Sequence, residues 1–350
     1  EVRVVYDAER LILGVTLHDS EPSRVLGNQM QRDQDFDADD RFIWTIDSFL
    51  DGRSGYFFEI NPSGAMGDGL IDPAQQDGDL GADINKSWDG IWVARVRRTA
   101  AGWTAEIEIP FRTLNFDPSA SSWGMNFQRT VRRKNEESLW IGHARNQGVA
   151  RMSNAGRVTG FDGVSQGLGL DLKPYAVGNM FAAPGRGRDD LVSTGDVGLD
   201  VFYNLTPALR ANVSLNTDFA ETEVDDRRVN LTRFPLFFEE KRDFFLEGSS
   251  FFDFSREPGT DVVPFFSRRI GLDEDGNPQR IDVGAKLTGQ AGPFDLGVLQ
   301  VRTGETNGLA GEDFSVLRVR RRAFEQSYFG GMYTRRAARR AGEVGRPTPG

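Results

Sequence analysis

The chain has 350 residues, 38% of them hydrophobic, with 40 glycines, 26 phenylalanines, 6 tyrosines, no cysteine and a formal net charge of -10. That length allows two or three ordinary domains, the absence of cysteine excludes disulfides and thiolate metal sites, and no run of about 18 apolar residues offers a membrane-spanning helix. A Gly- and aromatic-rich chain of modest hydropathy is a β signature, and it stays compatible with a membrane barrel, whose alternating strands never build a hydropathy peak.

Taken in chain order, the first part reads as short strands separated by turn signals. Val2 to Tyr6 and Arg10 to Leu17 form a pair around Asp7-Ala8-Glu9; the opening is already inside a strand pattern, and the closing RRAARRAGEVGRPTPG does not resemble a barrel terminus, so the chain reads as a fragment without leader or C-terminal portion. Arg41 to Ile46 places Phe42, Trp44 and Ile46 on one face, and Gly55 to Ile60 follows a turn at Asp51-Gly52. Ile91 to Val96, Trp103 to Ile109, Trp123 to Arg132 and Leu139 to His143 complete a set spaced as in a β-sandwich. The glycine-rich stretch 156–169 then reads as a linker.

Beyond it the segments lengthen and alternate more strictly. Leu170 to Met180, Gly195 to Tyr203, Leu209 to Leu215, Ile281 to Leu287, Phe294 to Val301, Phe314 to Arg320 and Tyr328 to Thr334 approach the roughly 9 to 11 residues of a tilted transmembrane strand. Alternation alone leaves a second soluble β-domain equally open. Arg318, Arg320 and Arg322 fall on one strand face, which fits a polar barrel lumen better than a nucleic-acid surface. Residues 218–254 break the pattern, mixing dense phenylalanine with dense charge. A segment packed inside a lumen, with Glu239 and Glu240 offset by Lys241 and Arg242, accounts for both.

Specific strings then narrow the reading. Arg32-Asp33, Asp39-Asp40, Phe49, Asp51-Gly52-Arg53, Gly55-Tyr56, Asn61-Pro62, Gly64, Asp68, Trp88-Asp89-Gly90, Trp92, Gly102-Trp103-Thr104-Ala105-Glu106 and Ile109-Pro110-Phe111 resemble the family-9 carbohydrate-binding module. Asp218-Phe219, Val229-Asn230-Leu231, Arg233-Phe234, Glu240-Lys241-Arg242, Phe244-Phe245-Leu246-Glu247-Gly248 and Gly284-Ala285-Lys286-Leu287-Thr288-Gly289 resemble a family of uncharacterised bacterial outer-membrane barrels. The resemblance implies an all-β chain: a sandwich over 1–165, then the incomplete N-terminal part of an antiparallel barrel over 166–350, located in the cell outer membrane. Its expected partners are a polysaccharide or oligosaccharide and outer-membrane lipid, with no nucleic acid. The expected role is glycan capture at the envelope, with aid to uptake; a glycoside hydrolase or a purely structural envelope protein is the alternative.

Sugar modules stack pyranose faces on exposed rings. Trp88, in a polar turn, with Trp92 and Arg53, are the candidate sugar-binding residues; Trp44 and Trp103 share faces with aliphatic residues and read as core. For Trp88 core packing is the equal alternative. Asp33, Asp35, Asp37 and Asp39 are candidate calcium ligands, although Ala38 and Trp44 stand where an EF-hand needs Gly and Glu, and a solvated loop is the competing reading. No other cofactor is expected. Glu106 and Glu108 lie side by side on one strand face rather than across a cleft, which suits solvation better than glycosidic acid-base work. His18 and His143 accompany no G-x-S-x-G, H-E-x-x-H or phosphate-loop pattern, so an enzyme is the weaker expectation.

Overall fold

The computed structural model describes residues 1–72, 83–142, 148–182, 191–217, 240–252, 264–272, 279–305, 310–323 and 327–339. The chain divides into two compact units, Glu1–Gly169 and Leu170–Gly350, and it is all-β apart from single turns of helix.

The first unit is a sandwich. One sheet has four antiparallel strands, β1 (Val2–Tyr6), β2 (Arg10–His18), β7 (Val93–Thr99) and β8 (Gly102–Pro110), in the order β1-β2-β8-β7. The other runs β10 (Glu136–Leu139), β9 (Ser122–Val131), β3 (Arg41–Asp47), β4 (Gly55–Ile60), β5 (Met66–Asp72), β6 (Asp83–Asn85), with β11 (Gly156–Thr159) also on β9. Period-two alternation builds the core between them. Leu11, Leu13, Val15 and Leu17 of β2 and Trp103, Ala105, Ile107 and Ile109 of β8 meet Phe42, Trp44, Ile46, Phe58, Trp123 and Met125 from the opposite sheet. The reverse face of β8 carries Glu106, exposed, and Glu108, which pairs with Arg10 at 3.0 Å. That pair of carboxylates is a solvated strand face.

Strand β3 is buried at all seven positions. It is covered on its second face too, where Ile43 joins Phe57, Ile71, Val149, Ala150 and Met152. The glycine-rich stretch expected to be a linker belongs instead to the sandwich. β11 pairs with β9, Phe161 stacks on Trp123 at a centroid distance of 4.4 Å, and buried Gln166 donates from Nε2 to the Leu114 carbonyl at 2.5 Å. Gly156 is needed there, because a Cβ would lie 2.5 Å from the Trp140 ring.

The second unit is a seven-stranded antiparallel meander with strands side by side in chain order: β12 (Leu170–Ala182), β13 (Leu191–Thr206), β14 (Leu209–Thr217), β15 (Ile281–Ala291), β16 (Phe294–Thr303), β17 (Glu312–Ala323) and β18 (Ser327–Ala338). β13–β14, β15–β16 and β17–β18 are joined at one end by two or three residues, whereas the connections at the other end span 183–190, 218–280 and 304–311. Among the described residues β12 and β18 have no outer partner, so the sheet is open. The one-turn helix α1 (Asp243–Leu246) and the short helical turns Ser249–Phe252 and Ser267–Arg269 form a strap on this sheet. Of the anomalous segment 218–254, residues 240–252 are described; Glu239 and the rest lie outside, as does His143.

Candidate functional site

The four aspartates expected to bind calcium are drawn to four different tasks. Asp39 is buried and accepts the Asn28 amide at 2.7 Å, the Gln29 amide at 2.9 Å and the Asn61 Nδ2 at 2.8 Å. Asp37 pairs with Arg41 at 2.9 Å, and Asp35 accepts the Asp37 amide at 2.7 Å. Only Asp33 joins other carboxylates, Asp68 and Asp89, whose oxygens lie within 4.8 Å of one another. Arg32 supplies the cation among them: its Nη2 is 2.5 Å from Asp68 Oδ1, and its Nε is 3.2 Å from Asp33 and 3.3 Å from Asp89. The structure therefore does not assemble the expected calcium set. Burial pushes Asp68 up to about 7, against the Gly90 N–H and Arg32, which favour its charged form; burial likewise raises Asp33.

This cluster forms the lid of an aromatic nest. Trp88 and Trp92, the candidate sugar platforms, are 8% and 4% exposed and belong to the main core. Trp88 lies against Tyr56 at 5.2 Å and Trp92 meets Trp44 edge-on at 5.4 Å, while the Arg32 guanidinium lies 5.9 Å above the Trp92 ring. Neither ring offers a face for a pyranose. The polar flanks that make Trp88 look like a surface turn are spent elsewhere, Lys86 on buried Glu59 at 2.5 Å and Asp89 on Arg32. Arg53 stands exposed on a turn whose amides bond to Asp51 at 2.8 and 2.9 Å. The predicted residues Asp33, Trp88 and Trp92 thus converge at a closed end of the sandwich, where the one guanidinium of Arg32 faces three carboxylates.

An accessible aromatic site lies elsewhere. A cleft of about 550 Å³ is lined by Val2, Val4, Leu17, Phe42, Phe127, Leu139, Trp140 and Val158, from both sheets, with His18, Gln128, Arg129 and Ser138 among its polar groups. Trp140 is 46% exposed and leans on Phe127 at 5.4 Å. Nothing in the sequence singles out this cleft, because its walls come from six separate strands.

The covered face of the second sheet is mixed: Leu299, Val301 and Val316 form a buried cluster with Phe244, Phe245 and Phe252, and polar side chains are buried beside it. On β14, Arg210, Asn212 and Ser214 are buried while Val213 and Leu215 are exposed. On β15, Lys286, Thr288 and Gln290 are buried. Register assigns Leu172, Val201, Val213 and Ala285 to one rank of the outward face, and exposure along that face extends through Val197, Val298, Leu317, Phe329 and Tyr333. Leaving that many large side chains in water forgoes about 1.5–3 kcal/mol for each fully exposed one. The sum rivals the whole stability of an ordinary domain, about 5–15 kcal/mol. Followed across the sheet, the apolar band runs obliquely. The rank containing Val201 and Val213 continues into Gln300, Ser315 and Arg335, and the next passes from Leu199 and Leu215 to Arg302 and Asp313.

The inward face is held by the strap. Lys286 is buried and its ammonium donates to the carbonyls of Phe244 and Glu247, and Arg210 pairs with Glu247 at 2.8 Å. Phe244 and Phe252 rest where strand glycines leave room: a Cβ on Gly284 would lie 2.8 Å from the Phe244 ring, and one on Gly297 3.0 Å from Phe252. Glu240 and Arg242 pair at 2.7 Å, and Arg242 also donates to the carbonyls of Ile270 at 2.7 Å and Ser267 at 2.8 Å. No helix among the described residues is long and apolar enough to cross a membrane.

No curated protein and no solved structure matches the chain. Residues 167–292, which begin just before Leu170 and take in β12 to β15 together with the strap, match the family model described as a domain of unknown function, DUF5916.

Proposed function

We propose that the protein resides in a bacterial outer membrane, its second unit forming part of a β-barrel wall and its first unit a carbohydrate-capturing sandwich. The observation that carries this reading is the polarity of the second sheet: apolar side chains spread over much of the outward face, while Arg210, Asn212, Lys286 and Arg318 are buried inward beside the phenylalanine cluster under the strap. A membrane wall needs that arrangement, with lipid outside and a polar lumen inside. The oblique course of the apolar band agrees with strands tilted about 35–45° to the bilayer normal, and connections short at one end and long at the other are usual in such barrels. Because hydrocarbon solvates no backbone N–H or C=O, the edges of β12 and β18 then require further strands of the wall.

The chain has no cysteine, so a single bimane on Val298→Cys reports one outward position. In vesicles it is strongly quenched by lipids brominated in the acyl chain; quenching no greater than that at an exposed sandwich position would overturn the membrane reading. For the sandwich, the half-exposed ring of Trp140 with Arg129, Gln128 and Ser138 replaces Trp88 and Trp92 as the sugar platform. A calorimetric glycan screen of the intact protein tests it. Binding that disappears in Trp140→Ala supports capture, and absence of binding to every glycan leaves the sandwich a structural cap.

A further inference from the structure

The outward face of the second sheet carries one cation in an unusual setting. Phe294, Arg321 and Phe329 stand side by side in a single rank across β16, β17 and β18, next to the short β15–β16 and β17–β18 connections. The Arg321 guanidinium lies 5.8 Å from the centre of each ring, and Arg321 and both rings are exposed. Among the described strand residues, the outward carboxylate on this strand is Asp313, held by Arg302 at 2.9 Å. It lies eight residues up β17, about 26 Å along the strand at roughly 3.3 Å per residue.

We propose that Arg321, held between Phe294 and Phe329, binds the phosphate of an anionic phospholipid at the short-connection rim of the wall. This rests on the membrane reading. In a bilayer an arginine on the lipid face costs about 2–4 kcal/mol at the midplane but only about 0–1 near the interface, so Arg321 belongs at headgroup depth. Aromatic rings gather at that depth, and two of them flank it. The Arg302–Asp313 pair marks the opposite rim; about 26 Å along a strand tilted near 40° projects to about 20 Å, close to the apolar band of such barrels. The two rims differ chemically. At the far rim the cation has a protein carboxylate; at the near rim, among the described residues, it has two ring faces and no carboxylate, and a guanidinium fork suits a phosphate. Short connections face the periplasm in such barrels, where the leaflet is phospholipid.

The test uses the full-length protein bearing bimane on Val298→Cys, in phosphatidylcholine vesicles with and without phosphatidylglycerol, and separately with lipopolysaccharide. Phosphatidylglycerol is expected to raise the thermal midpoint read by the label. Arg321→Gln should remove at least half of that rise, and Arg302→Gln should leave it intact. A full rise in Arg321→Gln, no rise in the parent protein, or a rise with lipopolysaccharide alone overturns the phospholipid clamp while acyl-chain quenching still upholds the membrane reading. Loss of quenching sinks both.

Discussion

The two units obey the same alternation rule with opposite outcomes. In the sandwich, Leu11, Leu13 and Val15 point into a dry interior and Glu106 points to solvent. In the meander, Val213 and Leu215 point outward and Asn212 and Ser214 are enclosed. Strand geometry gives both faces equally, so the environment each face meets decides its composition. The contrast teaches that a β pattern specifies a sheet but not which side is interior, and that only the inventory of covered side chains does.

The strongest way to break the comparison is to delete a core ring in the sandwich. All six tryptophans lie before residue 170, so their fluorescence follows the first unit alone. Trp103→Ala, at a fully enclosed position, should cost about 3–5 kcal/mol, measured by denaturant titration. A cost under about 1 kcal/mol would mean that the sandwich interior is not close-packed. The corresponding change in the second unit is a charge on the outward face. Val298→Arg should lower stability in a bilayer by about 2–4 kcal/mol at mid-depth, read from the fraction resistant to unfolding in vesicles. In a soluble sheet the same change at an exposed site falls within about 0.5 kcal/mol, so the two readings of the meander separate cleanly.

A smaller effect is expected at the strap. Lys286→Met keeps the length of the side chain but leaves the carbonyls of Phe244 and Glu247 without that donor. Stranding buried acceptors costs about 1–3 kcal/mol. Hydrogen exchange in residues 243–252 should quicken accordingly, and unchanged protection would show that the phenylalanines alone hold the strap.

Much of the fold is legible in the sequence, and the parts that are not have identifiable causes. Leu170, Leu209, Ile281 and Phe294 open strands where the alternation places them, because period two is a local property that needs no partner. β5 escapes detection because Gly67 and Gly69 erase its alternation; both are glycine because the Glu59 side chain and the β6 backbone press against them. β11 is hidden for a related reason, lying in a glycine-rich stretch that reads as a joint. The candidate site was less legible. Asp33 meets Asp68 by bonding to the backbone of β5 at Met66 and Asp68, and both meet Asp89 from the turn after β6, a conjunction that no spacing encodes. Trp88 sits among polar neighbours in sequence, yet those neighbours find partners of their own and let the ring turn inward.

The last and gentlest test separates the units by pH. Asp47 is buried at the end of β3 and accepts the amides of Asp51 at 3.2 Å and Gly52 at 2.8 Å. Burial, reinforced by the negative charge of Asp51, pushes it up to about 7 from 3.8, against those amides. An acid whose folded value exceeds its unfolded value binds more protons folded than unfolded across that window. The sandwich should therefore lose stability as pH rises from about 4 to about 7. Asp47→Asn retains an amide-accepting oxygen without the charge, so it should reduce that slope, to which buried Asp68 also contributes, and make the variant the more stable form above pH 7, while matching the parent near pH 4. Tryptophan-detected unfolding at several pH values measures it, with the label on Val298→Cys as the internal comparison. An equal slope in parent and variant would show that the Asp47 carboxylate is as well solvated folded as unfolded, and that the end of β3 is open to water.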